Sequence, residues 1–305
     1  MLHIGRRLRF WLIVSGSLLF LIIATAVFYS SIGTIGDVGT NGAPLSAADL
    51  SSIPPSVIAD ARDTALKLAG DALDKYDSLY NQLLGLYMRA KDKDVVVVFN
   101  SGGWGGTVVE NAEGWFSIVE GIRAKLSSFG YETLFLNYQR TEKNIRAYID
   151  ELVELLRLYP TKVTYLSERI NFLTSHVPDL SVIIAGESNG TVISDGVMKR
   201  LKDNHRIYSI HTGPPFWHKP TVRERTLVLE SNGTAPDTFS DGDVPAILWA
   251  SFKAAIGFLP GENERGTIFN SLIAPGHDYG WQYPAVEEKI SGFLEKNFSN
   301  NGRKP

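Results

Sequence analysis

Six short apolar runs, at 95–99, 133–137, 181–185, 206–211, 226–230 and 267–272, alternate with stretches whose apolar residues recur at helical spacing. Apolar residues stand at consecutive positions in these runs, not at every second one, which is the pattern of strands covered on both faces. Strand and helix in alternation restrict such a chain to an α/β fold: a mostly parallel sheet of about six strands with helices on both sides. In an open sheet of this kind a ligand binds beyond the carboxyl ends of the strands. Residues that carry chemistry should therefore follow strands directly, and three stretches do.

The third run is followed at once by Gly186, Glu187, Ser188, Asn189 and Gly190, a G-x-S-x-G placed between a strand and a helical pattern. A serine hydroxyl is a poor nucleophile until it is lifted out of the backbone and a base takes its proton, and a tight strand-to-helix turn does the lifting. Side chains at Gly186 and Gly190 would strike the neighbouring strand or helix. Ser188 thus reads as a nucleophile, against the alternative of a helix N-cap. The N–H of Asn189, at the helix start, is a candidate oxyanion donor. After the first run come Asn100, Ser101, Gly102, Gly103, Trp104, Gly105 and Gly106, where bare backbone N–H groups can approach a substrate oxygen; Gly102 and Gly103 are the expected donors. After the last run, Ala274, Pro275, Gly276 and His277 place an imidazole where it can reach the serine as general base. No metal or organic cofactor is implied by this set.

Composition narrows the alternatives. The 305 residues are 44% hydrophobic, which suits one globular domain with an appendage, and a net charge of −3 with scattered Lys and Arg offers no stripe for a nucleic acid. The absence of cysteine removes disulfides, thiolate metal sites and a cysteine nucleophile together.

The appendage is N-terminal. Arg6, Arg7 and Arg9 precede 10–29, twenty uncharged residues rich in Leu, Ile, Val and Phe; at 1.5 Å per residue they span a hydrocarbon core of about 30 Å. The arginines orient such a segment with the remainder outside the cytoplasm. Residues 1–29 are expected to be a signal-anchor or transmembrane segment. A cleaved signal peptide ending at Ala24, Thr25 and Ala26 is the alternative, and would leave a secreted domain. Gly, Ser and Pro through 30–56 read as a flexible linker, and 57–305 as the catalytic domain. Its first part, 57–88, has the periodicity of one long amphipathic helix.

Serine, then acid, then histidine along the chain, with the elbow behind a strand, resembles the α/β-hydrolase superfamily, and most closely the carboxylesterases and lipases of the hormone-sensitive-lipase type. Phe99, Asn100, Ser101, Gly102, Gly103 and Trp104 lie where that group carries His-Gly-Gly-Gly-Trp, with Asn100 and Ser101 in place of its leading His and Gly. The stretch from Gly130 and Tyr131 to Tyr138, Gln139 and Arg140 is similar to its next strand and the Asp-Tyr-Arg that ends it, and Gly186 to Gly190 with Glu187 second is a frequent esterase form. The group's first antiparallel strands have no counterpart, so a trimmed sheet is expected. The resemblance implies hydrolysis of carboxylic esters, small-molecule or lipid, by a Ser-His-Asp triad. It places the acid after the strand before last, among Glu230, Asp237, Asp241 and Asp243; Asp237, in a glycine-then-aspartate turn stiffened by Pro236, is preferred, with Asp241 next. A peptidase, a thioesterase, or a surface domain that kept the fold and lost the chemistry are the other readings.

Trp104, Phe216 and Trp217 are the expected pocket residues. The 212–221 connection is too short for a cap domain. Two helices broken at Pro160 fit 141–177, the first of them either packed on the sheet or a lid. Residues 244–259 are apolar on nearly every side and are expected to be mostly core.

Overall fold

The computed structural model describes residues 37–38, 43–70, 75–141, 144–258, 261, 265–269 and 271–299. The expected membrane segment at 10–29 lies outside them, and no helix among the described residues is long and apolar enough to cross a membrane. Strand β1 (Asp37–Val38) forms one edge of a sheet whose other members, β2 (Val95–Asn100), β3 (Thr133–Gln139), β4 (Ser181–Glu187), β5 (Ile207–Thr212) and β6 (Thr226–Leu229), are mutually parallel. Their order is β1-β3-β2-β4-β5-β6. The chain leaves β2 toward β3, then crosses back over β2 to enter β4. The neighbours β2 and β4 therefore send their following connections in opposite directions, which opens a crevice at their carboxyl ends. The register pairs Asn100 with Gly186, so the two chemistry-bearing turns emerge side by side.

Both faces are covered, as the unbroken apolar runs require. Helices α2 (Pro55–Ala69), α3 (Tyr76–Ala90), α6 (Pro160–His176) and α7 (Gly190–Arg200) bury Val96, Val98, Val182 and Ile184 on one face. Helices α4 (Glu113–Ser128) and α10 (Pro284–Leu294) bury Val95, Val97, Phe99, Ile183 and Ala185 on the other. All six residues of β2 are buried, and each such Val or Phe side chain contributes about 1.5–3 kcal/mol by leaving water.

Four expectations are corrected. The sixth run does not join the sheet: it splits into β7 (Thr267–Ile268) and β8 (Leu272–Ile273), an antiparallel hairpin of its own. The stretch read as linker contributes β1 and a short helix, α1 (Ala47–Ser51), capped by the Ser46 side chain. The single helix expected over 57–88 is two, because α2 ends at Gly70, whose φ of 53° cannot continue a right-handed helix. Helix α9 (Val244–Ala255), expected in the core, buries only Ile247 and Ala250. The two helices expected around Pro160 are present as α5 (Ile145–Leu156) and α6. A one-turn helix, α8 (Thr238–Asp241), precedes α9.

Candidate active site

Ser188 sits between β4 and α7 with φ +50°, a left-handed conformation that a non-glycine residue holds only when its surroundings force it. The surroundings are the two glycines. A Cβ at Gly190 would lie 2.0 Å from the Asn100 carbonyl oxygen, and one at Gly186 would lie 2.6 Å from Ser194 Oγ and 2.9 Å from Thr191 Cα. Only bare backbone lets β2, β4 and α7 approach this closely. Ser188 is almost wholly buried, and its hydroxyl makes no hydrogen bond among the described residues.

The loop after β2 lies against this turn, and it is held from below by charge. Arg140, at the end of β3, is fully buried; its Nη1 donates to Asn100 Oδ1 at 2.7 Å and to the Ser101 carbonyl, and its Nη2 reaches the Gly103 carbonyl at 3.4 Å. Its charge is met by Glu151 on α5, with Nε to Oε1 at 2.7 Å and both side chains out of water. Lys162 closes the cluster by donating to the Arg140 carbonyl at 2.7 Å, and burial lowers its ammonium pKa to about 8. Asn100 Nδ2 donates to the Gly190 carbonyl at 3.0 Å and ties the loop to the serine turn.

Of the three expected oxyanion donors, one is occupied. The Gly102 N–H donates to Glu187 Oε2 at 3.0 Å, and burial raises the Glu187 carboxyl above the ordinary carboxylate value. The N–H groups of Gly103 and Asn189 have no acceptor among the described residues. Gly102 and Gly103 line a cavity of about 620 Å³ together with Glu187, Ser188, His277 and Tyr279. Asn189 is buried and is not among the residues lining it.

The second half of the site is built from loops. Asp237 follows β6, fully buried, and does two jobs with its two oxygens. Oδ1 accepts from the N–H groups of Phe239 and Ser240, capping α8, while Oδ2 accepts from His277 Nδ1 at 2.8 Å, Tyr279 Oη at 2.8 Å and Ser240 Oγ at 3.0 Å. Burial alone would raise this carboxyl; the bonds from His277, Tyr279 and Ser240 outweigh it and hold the pKa below the ordinary value. With Nδ1 committed to an ionised carboxylate, Nε2 is the imidazole nitrogen left free. Asp241 and Asp243 do not meet the histidine: Asp241 lies in α8, and Asp243 caps α9 through Ala246 N–H at 3.0 Å.

Ser188, His277 and Asp237 thus come from three distant stretches to one rim, with serine and histidine on one cavity and no hydrogen bond between them. The expected pocket aromatics sit one layer out. Trp104 packs on Phe269 of the cavity wall with centroids 5.5 Å apart, and Trp217 packs on Phe239, which in turn lies edge-on to His277 at 5.1 Å. Phe216 is edge-on to Trp217.

Sequence reasoning gave no site role to Tyr279, Gly213, Asn232, Arg140 or Glu187. Gly213 follows β5 directly, which was a usable signal, and a Cβ there would lie 2.4 Å from His277 Cε1 and 3.0 Å from Asp237 Oδ2. Asn232 donates to the Asp278 carbonyl at 2.8 Å, so it joins the loop carrying Asp237 to the one carrying His277. Among the described residues no group of three or more His, Asp or Glu is placed to hold a metal ion.

No protein-family model matches the chain, and no curated protein matches it. Among solved structures it is similar to a Trichoderma reesei cutinase in complex with a C11Y4 phosphonate inhibitor, at 15% identity over 64% of this chain and 84% of that one, with a TM-score of 0.34.

Proposed function

We propose that the protein is a serine hydrolase of carboxylic esters, with Ser188 as nucleophile, His277 as general base and Asp237 as its orienting acid. The observation that carries this reading is the 2.8 Å bond from His277 Nδ1 to a buried, ionised Asp237, in a histidine that shares a cavity with a serine held at φ +50° on a strand-to-helix turn. Asp237 holds the tautomer that leaves Nε2 able to take the Ser188 proton as Oγ attacks the ester carbonyl carbon. The N–H groups of Gly103 and Asn189 receive the oxyanion; a donor of this kind stabilises the transition state by about 3 kcal/mol. Collapse of the tetrahedral intermediate expels the alcohol, protonated from Nε2, and leaves an acyl ester on Ser188. Water, deprotonated by the same nitrogen, then releases the acid. Segment 10–29 anchors this domain to a membrane, with the domain outside the cytoplasm.

Full-length protein in detergent, incubated with a fluorophosphonate and with p-nitrophenyl esters of increasing chain length, tests the assignment. The wild type should label and turn over, and Ser188→Ala should do neither, with turnover down by on the order of 10⁴-fold or more. Equal labelling of both proteins rejects Ser188 as the nucleophile. A second reading, a ligand-binding domain without catalysis, draws on the Glu187 carboxylate seated on the Gly102 N–H; labelling of neither protein favours it.

A further inference from the structure

Helix α9 carries two apolar stripes, and the domain uses one of them. Ile247 and Ala250 face inward, and Ser251 Oγ accepts from the Ile273 N–H of the cavity wall at 2.9 Å. Leu248, Trp249, Phe252 and Ile256 recur along the other side, Phe258 follows just past the helix end, and each of these five is more than half exposed. Trp249 and Phe252 stack with centroids 5.8 Å apart, which makes a flat aromatic face. Lys253 is the helix's only charged residue. A second apolar group stands at the cavity wall: Phe269 touches Trp104, Trp104 touches Tyr148 on α5 with centroids 5.4 Å apart, and Ile145 at the start of α5 is 80% exposed. An exposed patch of this extent marks a surface meant for another phase or partner.

The chain itself identifies the occupant. Asp37 of β1 pairs with Gln139 at the carboxyl end of β3, so the polypeptide enters the domain at the very rim that bears the cavity. Only seven residues lie between Asp37 and position 29, the end of the expected membrane segment, and the eight Cα steps reach no more than about 29 Å. We infer that the outward stripe of α9, with the start of α5, rests in a lipid bilayer surface and turns the cavity mouth toward the membrane, so that ester substrates reach Ser188 from the lipid phase. The inference rests on the membrane-anchor reading of 10–29. A Trp-bearing apolar stripe beside polar loops suits the bilayer interface, where amphipathic rings collect. A tether this short presents the rim to lipid ahead of any dissolved partner.

Because the chain lacks cysteine, single-cysteine labelling of the full-length protein is clean. F252C and W249C, on the stripe, and E288C, exposed on α10 and away from it, would carry an environment-sensitive fluorophore and be reconstituted into phosphatidylcholine–phosphatidylglycerol vesicles with or without lipid bearing a nitroxide near the headgroup. An interfacial helix sinks its apolar face roughly 5–10 Å into the headgroup and acyl boundary, so labels at 249 and 252 should shift to the blue and be quenched several-fold, while the label at 288 is not. Flotation of the same samples separates the two readings. Protein that floats with vesicles but shows no quenching at 249 and 252 overturns the docking face and leaves the anchor standing; protein that does not float overturns both. A blue shift that follows protein concentration and ignores the nitroxide lipid assigns the stripe to a second copy of the chain and overturns the inference as well.

Discussion

The two halves of the candidate site are held by different forces. The serine half stands on the ends of adjacent parallel strands, where backbone meets backbone: Gly190 against the Asn100 carbonyl, and the Ser101 and Gly103 carbonyls drawn down onto a buried guanidinium. The histidine half stands on loops, and its shape comes from side-chain acceptors: Asp237 collecting five donors, and Asn232 bridging the two loops. The first is rigid because the sheet is. The second is rigid only as far as its hydrogen bonds are complete; in the proposed mechanism the imidazole keeps its bond to Asp237 and closes on the serine when a substrate excludes water. Catalytic hydrogen bonds that are open in a free enzyme commonly tighten in this way.

The largest expected effect is on the serine half. Arg140→Met leaves Glu151 buried without its cation and should cost about 3–5 kcal/mol of stability. Replacing both partners, as in Arg140→Met with Glu151→Leu, removes the uncompensated charge and should restore most of that stability, because a well-packed apolar pair can substitute for a buried ion pair. Turnover should not return with it, since the Ser101 and Gly103 carbonyls have lost the donor that shapes their loop. Urea denaturation and ester hydrolysis on the same two variants make the comparison. Full turnover in the double variant would show that the loop holds its form without Arg140.

Two alanines set the halves against each other directly. At Gly190 the added Cβ meets backbone at 2.0 Å, and neither strand end can withdraw without disturbing the sheet; we expect a loss of about 1–3 kcal/mol, as for overpacking, with activity lost alongside. At Gly213 the added Cβ meets the His277 ring at 2.4 Å. A ring can swing aside, so Gly213→Ala should abolish most turnover while its stability falls by only the 1–2 kcal/mol or so that a left-handed φ costs a residue with a Cβ. Thermal melts alongside kcat would show it. Equal stability losses at the two sites would mean that the histidine loop is as unyielding as the strand ends.

That division also decided what could be read from the sequence. The five parallel strands, the turn at Ser188 and the crowding at its glycines follow from local pattern, because strand ends and tight turns are properties of a few neighbouring residues. The break at Gly70 escaped because the apolar period runs on beyond it, with no proline to mark the change of direction. The hairpin at 267–273 escaped because a short apolar run has the same composition whether it extends a sheet or pairs with itself. Helix α9 was expected inside, since a helix apolar on most sides is usually core; nothing local reveals that only one stripe has a partner. Asp237 was preferred over Asp241 on its turn. Its bonds to His277 and Tyr279 join residues forty and more positions apart, a distance at which no periodicity carries information.

The smallest effect tests whether the histidine half depends on its hydrogen bonds one by one. Tyr279→Phe removes one of the three donors to Asp237 Oδ2 and leaves those from His277 and Ser240 Oγ. At neutral pH the loss should be about 1 kcal/mol of stability, with kcat lower by several-fold as the carboxylate loosens its hold on the imidazole. The pH dependence fixes the cause. Asp237 has a depressed pKa in the folded protein, so the stability it contributes is present above the unfolded value of about 3.9 and is lost as pH falls through the folded one. The Tyr279 hydroxyl supports that depression; without it the folded pKa rises toward the unfolded value and less stability remains to be lost in acid. The gap between variant and wild type should therefore be widest near pH 7 and narrow as the carboxylate becomes protonated. Urea midpoints measured from pH 7 down to pH 3 would trace it. A gap that stays constant over that range would make Tyr279 a packing residue, and the hold on His277 would then rest on Asp237 and Ser240 alone.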